Sequence, residues 1–67
     1  MIQMGELIQT KRVQKGMTTR ELAKLTYVTA DYIRMLESVQ GSIPFDKIVR
    51  IADALNLDIR DLAAFYV

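Results

Sequence analysis

The chain contains no cysteine and no histidine in 67 residues. Without cysteine, neither a disulfide framework nor a thiolate metal site can brace it. Without histidine, it lacks the commonest metal ligand and the usual general base. Carboxylates alone can hold hard cations, but no loop carries the ligand spacing that requires. No metal, no cofactor and no catalytic activity are therefore expected. The sequence also lacks a long hydrophobic run. The stretch "LAAFYV" at 62–67 is far short of the roughly 20 apolar residues that span a bilayer. The opening "MIQMGELIQTKR" has no charged segment followed by an apolar one, so it does not read as a signal peptide. The expectation is a cytoplasmic protein with no membrane partner.

What is present is one small domain, expected to span residues 1–67. A domain of this size buries only about 60% of its unfolded surface, so a partner that adds buried area would stabilise it. The net charge is +1 but uneven. Residues 1–36 carry six cations, Lys11, Arg12, Lys15, Arg20, Lys24 and Arg34, against three anions, Glu6, Glu21 and Asp31; six minus three is +3. Residues 37–67 carry Lys47, Arg50 and Arg60 against Glu37, Asp46, Asp53, Asp58 and Asp61; three minus five is −2. A basic half and an acidic half fit a nucleic-acid face with its opposite turned away, and equally an ordinary solvated surface.

The pattern reads as five short helices. Met4, Leu7, Ile8 and Val13 recur at helical spacing over 4–15, and Gly16 ends that helix. Thr18 with Glu21 three residues on is a capping box opening a second helix, with Leu22, Ala23 and Leu25 as its apolar face. Thr29 is an N-cap for a third, with Asp31 in the first turn, where the helix dipole favours a carboxylate. Ile33 and Leu36 form its inner stripe. "SVQGSIP" at 38–44 reads as a loop, and Pro44 opens a fourth helix lined by Phe45, Ile48, Val49, Ala52 and Leu55. Asn56 suits a left-handed helix stop. Asp58 caps a fifth helix with Ile59, Leu62, Ala63 and Tyr66 on its apolar face. No stretch alternates with period two for long enough to suggest a sheet, and there are no repeats. The fold class expected is all-α, a compact bundle of five short helices.

The ordered set "KRVQKGMTTRELAKLTYV", "TADYIRMLE" and "IPFDKIVRIADALNLDIRDL" resembles the phage-repressor family of helix-turn-helix proteins, the Cro/cI or Xre type. Arg12, Gly16, Met17, Thr18, Leu22, Ala23, Val28, Thr29, Ile33, Glu37, Ile51, Ala52, Ala54, Leu55 and Leu62 match its pattern in order, over about residues 4–63. The resemblance implies a helix-turn-helix at about 18–37, with Ala23 at the closest helix crossing. Arg12 and Glu37 resemble a structural ion pair of that family, so Arg12 is not counted as a DNA contact. Three positions depart from the pattern. Thr19 stands where glutamine is frequent, Val39 where a glycine follows the glutamate, and Tyr27 where the turn has glycine. A tyrosine there predicts either a strained left-handed residue or a turn shifted to avoid it.

If the third helix enters a major groove, as the resemblance implies, Ala30, Asp31, Arg34 and Met35 face base edges. Arg34 can bind guanine in bidentate fashion, pair with Asp31 one turn earlier, or touch phosphate only. Asp31 can accept from a cytosine amino group, or cap the helix and hold Arg34. Ala30 can meet a thymine methyl, or be small to permit close approach. Thr19, Thr29, Tyr32, Gln40 and Ser42 are candidates for phosphate contact, and Arg20 and Lys24 for salt-dependent affinity. Phe65, Tyr66 and Val67 are candidates for a homodimer contact, or fold back onto the first helix. The function expected is a sequence-specific regulator of bacterial or phage origin, acting at the nucleoid as a dimeric repressor on double-stranded DNA. The competing reading is an interaction module, antitoxin-like, that keeps the fold and binds a protein partner.

Overall fold

Side-chain capping marks where several of the helices begin. In the structure, a computed structural model, residues 3–39 and 43–62 are described, with Ile59 in backbone only. The helices are α1 (Met4–Gln14), α2 (Thr19–Thr26), α3 (Ala30–Glu37), α4 (Phe45–Ala54) and α5 (Ile59–Leu62). The all-α class expected from the sequence is the one observed. At the head of α2 the Glu21 amide donates to Thr18 Oγ1 at 3.1 Å, and the Thr18 amide donates to Glu21 Oε1 at 3.0 Å. These two bonds complete the capping box and satisfy two amides that the helix itself cannot. Thr29 caps α3 by accepting from the Tyr32 amide at 3.1 Å. Asp58 accepts from the Arg60 amide at 2.9 Å, at the head of α5.

Three helices end the same way. After α1, α2 and α4 a residue takes positive φ: Gly16 at 67°, Tyr27 at 60° and Asn56 at 55°. In each case the next amide reaches back five residues to a helical carbonyl. Met17 donates to Arg12 at 3.0 Å, Val28 to Ala23 at 3.1 Å, and Leu57 to Ala52 at 2.8 Å. This is the left-handed stop that satisfies the orphan carbonyls of a helix end. Of the two alternatives for Tyr27, the backbone takes the left-handed one, with φ 60° and ψ 38°.

The core draws on every helix: Met4 and Ile8 of α1, Leu22 and Ala23 of α2, Ile33 and Leu36 of α3, Ile48, Ile51 and Ala52 of α4, and Leu62 of α5. Ile43 and Leu55 join from the connecting segments. Four expected core residues point outward instead. Val13 is 60% exposed, Leu25 56%, Phe45 54% and Val49 43%. Helical phase is the reason. With Leu22 and Ala23 inward, the next inward place on α2 is position 26, about 100° from Leu25. Thr26 fills it, buried, and its hydroxyl donates to the Leu22 carbonyl at 2.8 Å. On α4 the inward stripe is Ile48, Ile51 and Ala52, continued by Leu55, which leaves Val49 and Phe45 to the side. Ala63 and Tyr66, expected on the fifth helix, lie outside the described residues.

α1 rests directly on the end of α3. A Cβ on Gly5 would sit 2.5 Å from the Leu36 carbonyl oxygen and 2.6 Å from that of Glu37. Those are backbone atoms, so only glycine permits the approach. The same junction carries the expected ion pair. Arg12 donates through Nε to Glu37 Oε2 at 2.7 Å and through Nη2 to Oε1 at 3.2 Å, a bidentate fork. Its third nitrogen, Nη1, donates to the Met17 carbonyl at 2.8 Å. The two side chains are only 12% and 7% exposed. Arg12 thus ties α1, the stop at Gly16 and the end of α3 into one unit, and α3 is held from behind.

Candidate nucleic-acid interface

The inward stripe of α3 determines what its other side offers. Ile33 and Leu36 are buried. Counting 100° per residue, Asp31, Arg34, Met35 and Ser38 then face away from the core, and all four are exposed. Ala30 and Tyr32 flank this face, half-buried and packed against the core. Thr29, the cap, is exposed beside them.

The outward face is chemically sparse. Arg34 Nη1 is ion-paired with Asp31 Oδ1 one turn earlier. The pairing alternative raised by the spacing is therefore the one this structure adopts. Both members are open to water, with Arg34 56% and Asp31 93% exposed, so the pair adds little to stability, about 1 kcal/mol at most. It sets direction instead, turning the guanidinium toward the N-terminal end of the helix. Met35 is 51% exposed. Ser38 spends its hydroxyl proton on the Met35 carbonyl at 2.8 Å.

α2 packs against α3 and carries two further cations of its own. Arg20 and Lys24 are exposed, and Thr19 is half-buried at the first helical position. Glu21 is committed to the capping box. Its carboxyl lies below the ordinary value of 4.5, first because of the hydrogen bond from the Thr18 backbone and then that with the Thr18 side chain. Gln40 and Ser42, expected to touch phosphate, lie outside the described residues, as do Phe65, Tyr66 and Val67, expected at a dimer contact.

Two cations near this face were not singled out from the sequence. A shallow concavity of about 210 Å³ is lined by Thr26, Tyr27, Val28, Tyr32, Asp46, Lys47, Arg50 and Ile51. Arg50 also holds its guanidinium 5.9 Å from the centroid of the Tyr27 ring, which is 84% exposed. Lys47 and Arg50 fall in the acidic half of the chain, where a charge count along the sequence conceals them. Their spacing of three, just after Pro44, is the only local sign that they share one side of a helix.

The arrangement of a capped α2, a tight turn and a capped α3 with an unpacked outer face agrees with the comparison to known families. The helix-turn-helix family profile matches residues 8–62, most of the chain. No curated protein and no solved structure gives a significant match. The chain belongs to the helix-turn-helix family, of the Cro/cI type.

Proposed function

We propose that this helix-turn-helix protein is a sequence-specific DNA-binding transcriptional regulator, a small repressor that acts as a homodimer on a pseudo-palindromic operator. The observation that carries the reading is the outer face of α3. Asp31, Arg34 and Met35 stand clear of the core on a helix that is capped at its start and clamped through Glu37 at its end. Such a helix can enter a major groove without disturbing its own packing.

In this mechanism α3 lies along the base edges. Arg34, directed by Asp31, addresses a guanine, while Asp31 stands near a cytosine amino group. Ala30 and Met35 make apolar contact. Thr19, Thr29, Tyr32, Gln40 and Ser42 meet phosphates and fix the register. Arg20 and Lys24 release counterions from the backbone, and Lys47 and Arg50 extend that cationic margin across α4. One copy offers few base contacts, so a second copy on a half-site about 10 base pairs away completes recognition. Phe65, Tyr66 and Val67 provide that contact, and bound dimers repress by occluding a promoter.

The test is selection of bound duplexes from a random library, then titration of the recovered sequence at two salt concentrations. The expected result is one two-fold-related motif, bound with an affinity that falls steeply with salt. Recovery of no motif, with only weak salt-sensitive binding, would overturn the reading. Light scattering at rising concentration checks the dimer, and a persistent monomer on and off DNA would exclude it. A second reading, an interaction module that has lost DNA reading, is favoured by the charge-neutral Asp31–Arg34 pair and by the exposed side chains of Leu25, Tyr27, Phe45 and Val49. The same selection decides between the two.

A further inference from the structure

We infer that Met35 reads a thymine, through the 5-methyl group that this base presents in the major groove. The inference rests on the proposed placement of α3 in that groove, and it names the base chemistry which the C-terminal half of the helix selects.

The outer face of α3 contains little that can read polar base edges. Asp31 and Arg34 partly satisfy one another. Ser38 has committed its proton to the Met35 carbonyl. What remains on the face is the side chain of Met35, 51% exposed on a helix whose aliphatic residues Ile33 and Leu36 are fully or nearly buried. Met35 has no hydrogen-bond donor, and its thioether is a weak acceptor. Against a guanine, adenine or cytosine edge it would displace water from strong polar atoms and return little, which disfavours those bases. Thymine alone presents an apolar group in the major groove. An unbranched, polarisable side chain suits a contact of that shape, because it can adjust to the methyl without strain elsewhere.

Spacing gives the position. Met35 lies four residues beyond Asp31 on the same side of α3, a rise of about 6 Å. At about 3.4 Å per base step, the thymine falls roughly two steps from the bases opposite the Asp31–Arg34 pair.

The experiment replaces each thymine of the selected duplex in turn by deoxyuridine, which removes the methyl group and leaves the pairing edge unchanged. Wild type and Met35→Ala are titrated on every duplex. One replacement is expected to weaken wild type about three- to tenfold, and to change the affinity of Met35→Ala little. Met35→Ala should melt like wild type, since the side chain is outside the core, which separates a lost contact from a lost fold. If no deoxyuridine replacement weakens wild type, or if the sensitive position responds equally in Met35→Ala, the Met35–thymine contact is refuted while specific DNA binding stands. If selection yields no preferred duplex, DNA reading itself fails, and this contact with it.

Discussion

α1 and α2 end in the same backbone geometry, yet with opposite residues in the critical place. Gly16 has φ 67° and Tyr27 has φ 60°. The closing bonds, Met17 to Arg12 and Val28 to Ala23, differ by 0.1 Å. A Cβ on Gly16 would meet nothing within 4 Å, so space does not demand glycine there; the left-handed backbone does. Tyr27 accepts that backbone penalty while 84% exposed, with the Arg50 guanidinium beside its ring. The difference teaches that tertiary structure dictates the stop, whichever residue fills it. The junction behind α3 is built from glycine and a shielded ion pair. The junction beside its outer face retains strain that no burial repays, and strain of this kind gathers at functional surfaces.

Breaking the Gly16 side should have the largest effect. Arg12→Ala removes the partner of Glu37, whose side chain is only 7% exposed, and releases the Met17 carbonyl. A loss of about 3–5 kcal/mol is expected, read from urea denaturation. A loss below about 1 kcal/mol would mean that the clamp is ornamental. Gly16→Ala should follow, at about 1–2 kcal/mol, because the added methyl meets only the left-handed penalty. Tyr27→Gly is the mirror experiment and should stabilise by about 1 kcal/mol. Tyr27→Ala, which keeps a Cβ but loses the ring, should show no such gain. If Tyr27→Gly instead destabilises, the ring and Arg50 outweigh the backbone strain, and the two stops are not equivalent.

The smallest expected effect is a pH dependence in the capping box. Glu21 titrates below its ordinary value of 4.5 in the folded chain. Its contribution is therefore fully present above that value, and is lost as pH falls through the lower folded value. Asp58, lowered from 3.8 first by the Arg60 side chain, follows the same sign. Thermal melts should fall below about pH 4.5 in wild type and fall less steeply in Glu21→Gln. Parallel curves would remove Glu21 from the account.

Features that depend on neighbours in sequence were legible from the sequence itself. The capping box at Thr18, the caps at Thr29 and Asp58, the left-handed stops at Gly16 and Asn56 and the Asp31–Arg34 pairing all follow from spacings of a few residues. Arg12 and Glu37 became legible only through family resemblance, since nothing local links positions 25 apart. Apolar identity misled where phase decides: Leu25, Phe45 and Val49 are hydrophobic but off the inner stripe, while Thr26 is polar and inside. The close approach at Gly5 was invisible because its cause lies at Leu36 and Glu37, on another helix. The placement of Lys47 and Arg50 beside Tyr27 and Tyr32, with Asp46 paired to Lys47, was hidden for a related reason, since charge summed along the chain does not say which groups meet in space. For the candidate site, the outward residues of α3 were legible from its inward ones, and the choice between left-handed and shifted turn at Tyr27 needed the backbone itself.

The Asp31–Arg34 pair has a kinetic consequence. It leaves the outer face of α3 without net charge, so α3 adds little to the long-range field that draws a polyanion inward. Under the proposed function, Arg20 and Lys24 on α2 would supply that attraction, which sets the association rate and weakens with ionic strength. Contacts along α3 would then form only after arrival and govern how long such a complex persists. Salt should therefore change mainly how fast a duplex is found, and base sequence mainly the residence time on it.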